Sequence, residues 1–223
     1  MADNSLQVCE QFYSIQGEST WAGLPCLFIR LAGCNLRCSY CDSSYTWEEP
    51  GVKVSLNEII AWVGNYPGIM VELTGGEPLL QDGAYLFMNA LVEKKRTVLL
   101  ETNGSILVDR VPPEVNIILD IKCPDSGMES TNNWENIQYL NSRSRQGCRD
   151  EVKFVLSSAD DFFWARDIVE QYKLNETVTV LFSPNDKSLQ PSELAELILQ
   201  HKLPVRLQLQ LHKTLWPDKD RGV

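Results

Sequence analysis

Three cysteines lie close together near the start of the chain: Cys34, Cys38 and Cys41. Three thiolates on one loop can surround one metal centre. Because no further cysteine or histidine lies nearby in the sequence, that centre would keep an open coordination position, whereas structural zinc sites prefer four protein ligands. Thiolates also hold iron–sulfur clusters, and an open iron can bind a substrate or cosubstrate. The favoured interpretation is an iron–sulfur cluster. The alternative is a zinc site that takes one distant ligand from Cys123, Cys148 or His212.

A second motif, Thr74-Gly75-Gly76-Glu77-Pro78, follows about one strand and one helix later. Paired glycines allow the backbone to approach a ligand closely, and the carbonyls together with the Glu77 carboxylate can accept hydrogen bonds from an ammonium group. The simpler alternative is a tight turn without a ligand. Beside the cysteine motif, a ligand-binding role is favoured.

The elements that must position these motifs alternate along the chain between strand-like and helix-like patterns. Strands are predicted over residues 26–31, 69–73, 97–101, 116–121, 151–156, 177–182 and 205–211. Helices are predicted from a capping box at Ser55 and Glu58, from Asp82, and over residues 158–172 and 191–200. The cysteines follow the first strand and the glycine pair follows the second, so both motifs belong at the carboxyl edge of a sheet, where parallel β/α folds build their sites.

Strands separated by helices or long loops imply right-handed βαβ units and a parallel sheet. At 223 residues the chain is shorter than the ~250 residues of a full eight-unit barrel. We therefore expect an α/β fold: a partial, open β/α barrel with about six parallel strands and a reduced set of helices, forming a single domain over residues 1–223.

Composition narrows the classes of function. The 20 Lys and Arg against 30 Asp and Glu give a net charge of −10, which argues against a nucleic-acid partner. No apolar run approaches the roughly 18 residues of a membrane span, and the N-terminus does not resemble a signal peptide, so a cytoplasmic protein with no membrane partner is expected. Seven cysteines are an odd number for a disulfide framework. The four outside the motif, Cys9, Cys26, Cys123 and Cys148, are expected to be buried as small apolar residues.

The Cys-x3-Cys-x2-Cys motif, with Tyr40 before its third cysteine, resembles the signature of radical S-adenosylmethionine (SAM) enzymes. The flanking sequences narrow the resemblance to the 7-carboxy-7-deazaguanine synthase family of queuosine (7-deazapurine) biosynthesis. They are Phe12-Tyr13-Ser14-Ile15-Gln16-Gly17-Glu18-Ser19, Gly23-Leu24-Pro25, Phe28-Ile29-Arg30-Leu31, Cys41-Asp42-Ser43, Gln210-Leu211-His212-Lys213 and Arg221-Gly222-Val223. The resemblance implies a lyase that converts 6-carboxy-5,6,7,8-tetrahydropterin to 7-carboxy-7-deazaguanine with loss of ammonia. The radical that starts the reaction would come from SAM, cleaved by an electron from a 4Fe-4S cluster.

The cofactors implied by the resemblance are the 4Fe-4S cluster on Cys34, Cys38 and Cys41, SAM, and Mg2+. The residues assigned to SAM are Gly76, Glu77, Glu101, Lys122, Ser183, Pro184 and Asn185. Ser43 is assigned to Mg2+, with Asp42 as the second choice on resemblance although it is the more obvious oxygen donor. The sequence departs from the family at Asp120-Ile121-Lys122, where relatives commonly carry Ser-Pro-Lys, so only Lys122 is transferred directly.

The substrate contacts implied by the resemblance come from both ends of the chain. They are Ile15, Gln16, Gly17, Arg30, Thr74, His212 and Val223. Arg30 would pair with the substrate carboxylate through its planar fork, and the Val223 carboxylate would accept from the guanidine-like edge of the pterin. No catalytic side chain is expected beyond the cluster and SAM.

The expected partners are the small-molecule pterin, an electron donor such as flavodoxin or ferredoxin, and a second copy of the chain in a homodimer. Two other functions remain open from the sequence. The Asp-x-Lys pattern at residues 120–122 also resembles SAM-binding motifs of glycyl-radical activating enzymes, and a non-enzymatic zinc module would use the cysteines without SAM.

Overall fold

The computed structural model describes residues 4–144 and 148–223 and contains one nine-stranded sheet in the order β3-β1-β2-β4-β5-β6-β7-β8-β9. From β2 to β9 all neighbouring strands are parallel, and β1 joins β2 and β3 in antiparallel pairs. The strands are β1 Ser5–Ile15, β2 Pro25–Leu31, β3 Val52–Ser55, β4 Met70–Gly75, β5 Val98–Thr102, β6 Asn116–Ile121, β7 Glu151–Leu156, β8 Thr179–Pro184 and β9 Arg206–Leu207. The sheet ends at β3 on one side and β9 on the other, which confirms the open parallel fold.

Helices cover the outer face of the sheet and connect the parallel strands. They are α1 Tyr45–Glu48, α2 Leu56–Gly64, α3 Asp82–Glu93, α4 Glu135–Ser144, α5 Ala159–Tyr172, α6 Pro191–Gln200 and α7 Leu211–Leu215. The capping box predicted at Ser55 and Glu58 is present at the start of α2. The outer core includes Phe87 of α3 and Phe162 of α5, both fully buried.

The inner face of the sheet changes from apolar to charged along the strands. A small buried cluster, Cys26, Phe28, Met70, Leu99 and Ile118, lies toward the strand starts, with Phe12 and Trp21 packed against it. Because side chains two residues apart lie on the same face of a strand, this face continues toward the carboxyl ends with polar residues. Those residues are Arg30 after Phe28, Glu72 and Thr74 after Met70, Glu101 after Leu99, and Asp120 and Lys122 after Ile118.

The strand predicted over residues 205–211 is wrong in its extent. Only Arg206–Leu207 pairs with β8, and α7 begins at Leu211. The chain leaves the sheet because the Leu211 amide donates to the Gly17 carbonyl at 2.9 Å instead of continuing the ladder. Four elements, β1, β3, α1 and α4, have no counterpart among the predicted ones. In the described part of the chain, no helix is long and apolar enough to cross a membrane.

The four cysteines outside the motif divide into two pairs. Cys26 and Cys123 are fully buried among apolar side chains, as predicted. For Cys9 and Cys148 the prediction of burial is wrong, because both thiols are partly exposed and contact backbone carbonyls, those of Thr46 and Pro113.

Candidate active site

A cavity of about 420 Å3 lies at the carboxyl edge of the parallel strands. Most residues singled out from the sequence line it, although they come from the two termini, the cysteine loop and five strands. They are Ile15, Gln16, Gly17, Arg30, Cys34, Cys38, Cys41, Asp42, Ser43, Thr74, Gly76, Glu101, Lys122, Pro184, Asn185, His212 and Val223. Glu77 and Ser183 are the two predicted site residues that do not line the cavity.

The three cysteines of the motif occupy the loop between β2 and α1, residues 32–44, here called the cysteine loop. The Cys34 sulfur accepts from the Leu36 amide at 3.4 Å and lies 3.8 Å from the Asn103 side-chain nitrogen. A turn closes the loop, with the Cys41 amide donating to the Cys38 carbonyl at 3.2 Å. Burial raises the pKa of the Cys38 and Cys41 thiols, so the thiolate forms need a cationic partner at this position.

The thiol arrangement fits a cluster better than a single ion. Among the described residues, no group of three or more His, Cys, Asp and Glu side chains is placed to hold one metal ion. In an iron–sulfur cluster each thiolate binds its own iron, so the sulfurs do not have to converge on one point. Cys123, one of the distant ligands considered for zinc, is fully buried in the hydrophobic core.

The glycine pair holds the end of β4 against the cysteine loop. Gly75 has a φ of +132°, and a Cβ there would overlap the Leu31 backbone. A Cβ on Gly76 would overlap the Gly33 carbonyl oxygen and lie 3.0 Å from the Cβ of Cys34. The Gly76 amide donates to the Leu31 carbonyl at 3.0 Å. The glycines are therefore required for a close approach of two chain segments, in addition to any approach to a ligand.

Glu77 lies beneath the cavity rather than in its lining. Its carboxylate accepts from the Leu79 amide at 3.0 Å, the Thr102 hydroxyl at 2.8 Å and the Asn103 amide at 2.7 Å. These bonds tie the end of β4 to the end of β5, and the Glu77 side chain is fully buried, outside the cavity lining. The structure thus makes Glu77 a positioning residue. Ser183 also lies outside the cavity lining and is 1% exposed, and its assignment to SAM stays a prediction.

A layer of ionised side chains crosses the inner face of β5, β6 and β7: Glu101, Asp120, Lys122 and Lys153, here called the charged layer. The Lys153 ammonium pairs with Glu101 and lies 3.8 Å from an Asp120 oxygen, and the Lys122 ammonium lies 2.9 Å from the same oxygen. Burial alone would lower the pKa of Lys153, but the carboxylates of Glu101, Glu18 and Asp120 raise it well above its usual value. Both lysines are therefore ammonium ions at neutral pH.

Asp120 retains one buried oxygen, Oδ1, without a hydrogen-bond partner among the described residues. The residue is 8% exposed and lines the cavity. An unsatisfied buried acceptor costs about 1–3 kcal/mol unless a ligand supplies a donor. SAM carries such donors in its ribose hydroxyls and its ammonium group. Asp120, the residue that departs from the family pattern, therefore has a free acceptor that suits the donors of SAM.

Arg30 is held by Glu10, a residue that the sequence analysis did not select. The Arg30 Nε lies 2.7 Å from a Glu10 oxygen, which also accepts from the Tyr45 hydroxyl at 2.6 Å. Within residues 4–144 and 148–223, the two Nη groups of Arg30 have no hydrogen-bond partner. The geometry leaves a guanidinium fork at the cavity wall that can bind a carboxylate.

Segments near both ends of the chain meet over the cavity. His212 packs so closely on Gly17 that a Cβ there would overlap its ring. The Gln210 side chain donates to Glu18 at 2.7 Å. Farther along, Arg221 pairs with Glu49 at 2.6 Å and stacks 3.9 Å from the Tyr45 ring. These contacts place the C-terminal segment at the cavity mouth.

Asp42 and Ser43 provide two adjacent oxygen donors beside the cluster thiols. The Ser43 hydroxyl donates to the Asp42 carboxylate at 3.1 Å. Burial would raise the pKa of Asp42, but the charges of Lys213, Arg30 and Lys153 lower it. An ionised carboxylate next to a hydroxyl matches the hard oxygen ligands of Mg2+, which usually keeps several waters as well.

Three charged residues that line the cavity, Glu10, Glu72 and Lys153, are not among the predicted site residues. Glu72 is 4% exposed and accepts a hydrogen bond from the Gln16 side chain. Burial, with the nearby carboxylates of Glu101 and Glu18, raises its pKa well above the usual value. Glu72 and Lys153 could have been found from strand periodicity. Each is a charged residue within a predicted strand, two positions from an inward-facing apolar residue or a predicted site residue, so it shares the inner face.

The chain is similar to known proteins along almost its whole length. The model of the radical SAM superfamily matches residues 28–119. The 7-carboxy-7-deazaguanine synthase of Chlorobaculum tepidum is 44% identical over 218 residues, which cover 98% of this chain and 97% of the relative. The enzyme of the same name from Koribacter versatilis is 42% identical over 233 residues, covering 98% of this chain and 100% of the relative.

Solved structures share the fold. The crystal structure of QueE from Escherichia coli matches with a TM-score of 0.74 and 22% identity, covering 93% of this chain and 95% of that one. Streptococcus suis SuiB bound to S-adenosylmethionine matches with a TM-score of 0.57 and 14% identity, covering 79% of this chain and 48% of that one. Since the sequence match to two synthases extends along almost their whole length, the chain belongs to the 7-carboxy-7-deazaguanine synthase family of radical SAM enzymes.

Proposed function

We propose that this chain converts 6-carboxy-5,6,7,8-tetrahydropterin to 7-carboxy-7-deazaguanine, with loss of ammonia, in the cavity at the carboxyl edge of the sheet. The observation that carries the proposal is that the three cysteines and the expected substrate contacts line one cavity of about 420 Å3. This volume lies within the range of roughly 300–1,000 Å3 that is usual for small-molecule sites. Family membership favours this reaction over glycyl-radical activation and over a zinc module.

The cluster would be held by Cys34, Cys38 and Cys41, and together with SAM it supplies the radical that removes a hydrogen atom from the substrate. The residues of the chain bind and orient the two molecules. The free fork of Arg30 binds the substrate carboxylate, while Glu10 holds its Nε from the other side. Thr74, on the neighbouring strand and paired in register with Arg30, supports the same edge of the substrate.

SAM is proposed to lie between the cysteine loop and the charged layer. Gly76 offers backbone with no side chain in the way, and Glu101 and the unpaired oxygen of Asp120 accept hydrogen bonds. The Lys122 ammonium pairs with the other oxygen of Asp120 at 2.9 Å. Pro184 and Asn185 line the wall beyond.

Mg2+ is proposed to bind at Ser43 and Asp42, where it would bridge to the carboxylate of the substrate. The support is the adjacent pair of oxygens in the cavity lining, together with the lowered pKa of Asp42. The segments that meet at the mouth, residues 15–18 and 210–212, would exclude water and other hydrogen donors from the reacting atoms.

Four further expectations from the sequence are kept as proposals. They are a single radical SAM domain over residues 1–223, a homodimer, an electron donor such as flavodoxin or ferredoxin, and a cytoplasmic location.

The function is tested with anaerobically reconstituted protein, reductant, SAM and the pterin, with product followed by mass spectrometry. We expect the wild type to form 7-carboxy-7-deazaguanine, and Cys34→Ala, Cys38→Ala or Cys41→Ala to abolish both the cluster absorbance and turnover. The control Cys148→Ala, which removes a partly exposed thiol outside the cavity lining, is expected to leave both unchanged. A wild type that carries the cluster and cleaves SAM but does not consume the pterin would overturn the proposal.

A further inference from the structure

Four side chains form a continuous line across the inner face of the sheet: Thr74, Glu101, Lys153 and Glu18, here called the Lys153 relay. The Thr74 hydroxyl donates to Glu101 Oε2 at 2.9 Å, and the other oxygen of Glu101 accepts from the Lys153 ammonium. The same ammonium lies 2.9 Å from Glu18 Oε2. The line thus joins β4, β5 and β7 to the loop between β1 and β2.

Three members of the relay are charged and largely buried, and the Glu101 side chain is the most exposed of them at 26%. The Lys153 side chain is 5% exposed and that of Glu18 is 19% exposed. Around Lys153 the other facing ionisable groups are Asp120, at 3.8 Å, and Glu72, while Lys122 pairs with Asp120. Removing one partner from a buried ion pair leaves an uncompensated charge, so movement at one end is resisted at the other.

The two carboxylates on either side of Lys153 belong to different ligands in the proposed function. Glu101 is assigned to SAM, whereas Glu18 follows directly after Ile15, Gln16 and Gly17, which are assigned to the substrate. Gln16 is also hydrogen-bonded to Glu18, because its Oε1 accepts from the Glu18 amide at 3.0 Å. The Lys153 ammonium therefore contacts both the SAM side and the substrate loop.

We propose that Lys153 is a positioning residue that couples the binding of SAM to the binding of the pterin. SAM contacting Glu101 fixes the carboxylate, Glu101 fixes Lys153, and Lys153 holds Glu18 and the substrate loop in the binding conformation. The second ligand then meets a loop that is already ordered, which gives positive cooperativity. The inference rests on the proposed function for the identity of the two ligands.

The test measures binding rather than turnover. SAM is titrated by calorimetry into anaerobic holoenzyme with an oxidised cluster, with and without saturating pterin; without reductant, SAM cleavage cannot begin. The ratio of the two dissociation constants is the coupling factor. We expect about 5- to 150-fold in the wild type and about 2-fold or less in Lys153→Met, with Lys153→Arg restoring most of the coupling because it restores the charge.

Glu151→Gln is the matched control. Glu151 lies two residues before Lys153 on the same face of β7, is 2% exposed, and holds the same loop through the Thr20 amide at 3.1 Å. It touches Thr20 rather than Glu18 or Glu101, so this variant can loosen the loop without cutting the relay. Its coupling factor is expected to stay at the wild-type value. Should Lys153→Met lose the cluster or the fold, Glu18→Gln breaks the relay from its other end.

A wild-type coupling factor in Lys153→Met or Glu18→Gln would overturn the inference, as would an uncoupled wild type or an equal loss in Glu151→Gln. Failure of the proposed function has a different signature, since the wild type would then bind SAM and fail to bind or convert the pterin. An active wild type with unchanged coupling in the variants therefore removes the role of Lys153 and leaves the proposed function standing.

Discussion

The cysteine loop and the charged layer face the same cavity, but different forces hold them in place. Backbone contact holds the cysteine loop, because the end of β4 approaches Gly33 and Cys34 more closely than any side chain would allow. Ion pairs hold the charged layer, with Lys153 and Lys122 between carboxylates. An atom added at the backbone contact must displace the cysteine loop. The strength of an ion pair instead changes gradually with the charge of its partners and with pH. Changes to the two regions should therefore differ in size and in kind.

The largest effect is expected from Gly76→Ala. The added Cβ would overlap the Gly33 carbonyl and press on Cys34, so the loop must shift and the cysteines lose their geometry. We expect at least about a 100-fold loss of turnover, since displacements of this kind near reacting groups cost about that much. Iron content and cluster absorbance after reconstitution measure the cause directly.

The matched control is Gly64→Ala at the end of α2, where a Cβ meets nothing within 4 Å. It is expected to leave the cluster and turnover unchanged. If Gly76→Ala bound a full cluster and turned over normally, steric contact would not be what holds the cysteine loop.

A smaller effect is expected from Arg30→Ala. Removing the guanidinium deletes a charge-assisted contact with the substrate carboxylate, worth roughly 1.5–3 kcal/mol or about 10- to 150-fold in binding. The KM for the pterin should rise by that factor while SAM affinity changes little. Arg30→Lys should recover only part of the loss, because an ammonium cannot form the bidentate fork.

Arg110→Ala serves as the control for charge alone, since Arg110 pairs with Asp82 on the surface, outside the cavity lining. Its kinetic constants should match those of the wild type. An Arg30→Ala enzyme with an unchanged KM would show that another group binds the substrate carboxylate.

The smallest effect is expected from Glu72→Gln, and it is a change in the free energy of unfolding. The raised pKa keeps Glu72 protonated in the folded protein at pH values where the unfolded chain ionises it. Folding stability therefore falls as pH rises from about 4.3, the ordinary glutamate pKa, until the folded-state pKa is reached. The glutamine keeps an acceptor for Gln16 and does not titrate, so the variant should become progressively more stable than the wild type over this range. The gain is about 1.4 kcal/mol for each pKa unit of the shift.

Thermal unfolding between about pH 4 and pH 8 measures this difference. Glu196→Gln on the exposed side of α6 is the control and should show no divergence from the wild type with pH. A Glu72→Gln protein that is less stable than the wild type across the whole range would mean that an ionised Glu72 stabilises the charged inner face.

The strands were predictable where burial is continuous. The predicted bounds 116–121 and 151–156 coincide with β6 and β7, because parallel strands covered on both faces form uninterrupted apolar or inward-facing runs. β1 was missed because polar residues such as Gln7 and Gln11 interrupt it, as befits a strand with only one buried face. α4 was missed because its apolar signal consists of little more than Ile137 and Leu140.

The sequence by itself determined the chemistry of the site: the three thiols, the glycine pair, the arginine fork and the order of strands that places them at one edge. These are local features, since spacing along the chain and the strand period decide which residues share a loop or a face. Only the tertiary structure decided that Glu77 lies beneath the cavity, that Glu10 holds Arg30, and that Lys153 joins Glu101 to Glu18. Such roles depend on burial and on contacts between residues of different strands and loops, from 20 positions apart for Glu10 and Arg30 to 135 for Glu18 and Lys153, and neither has a signal in the local sequence.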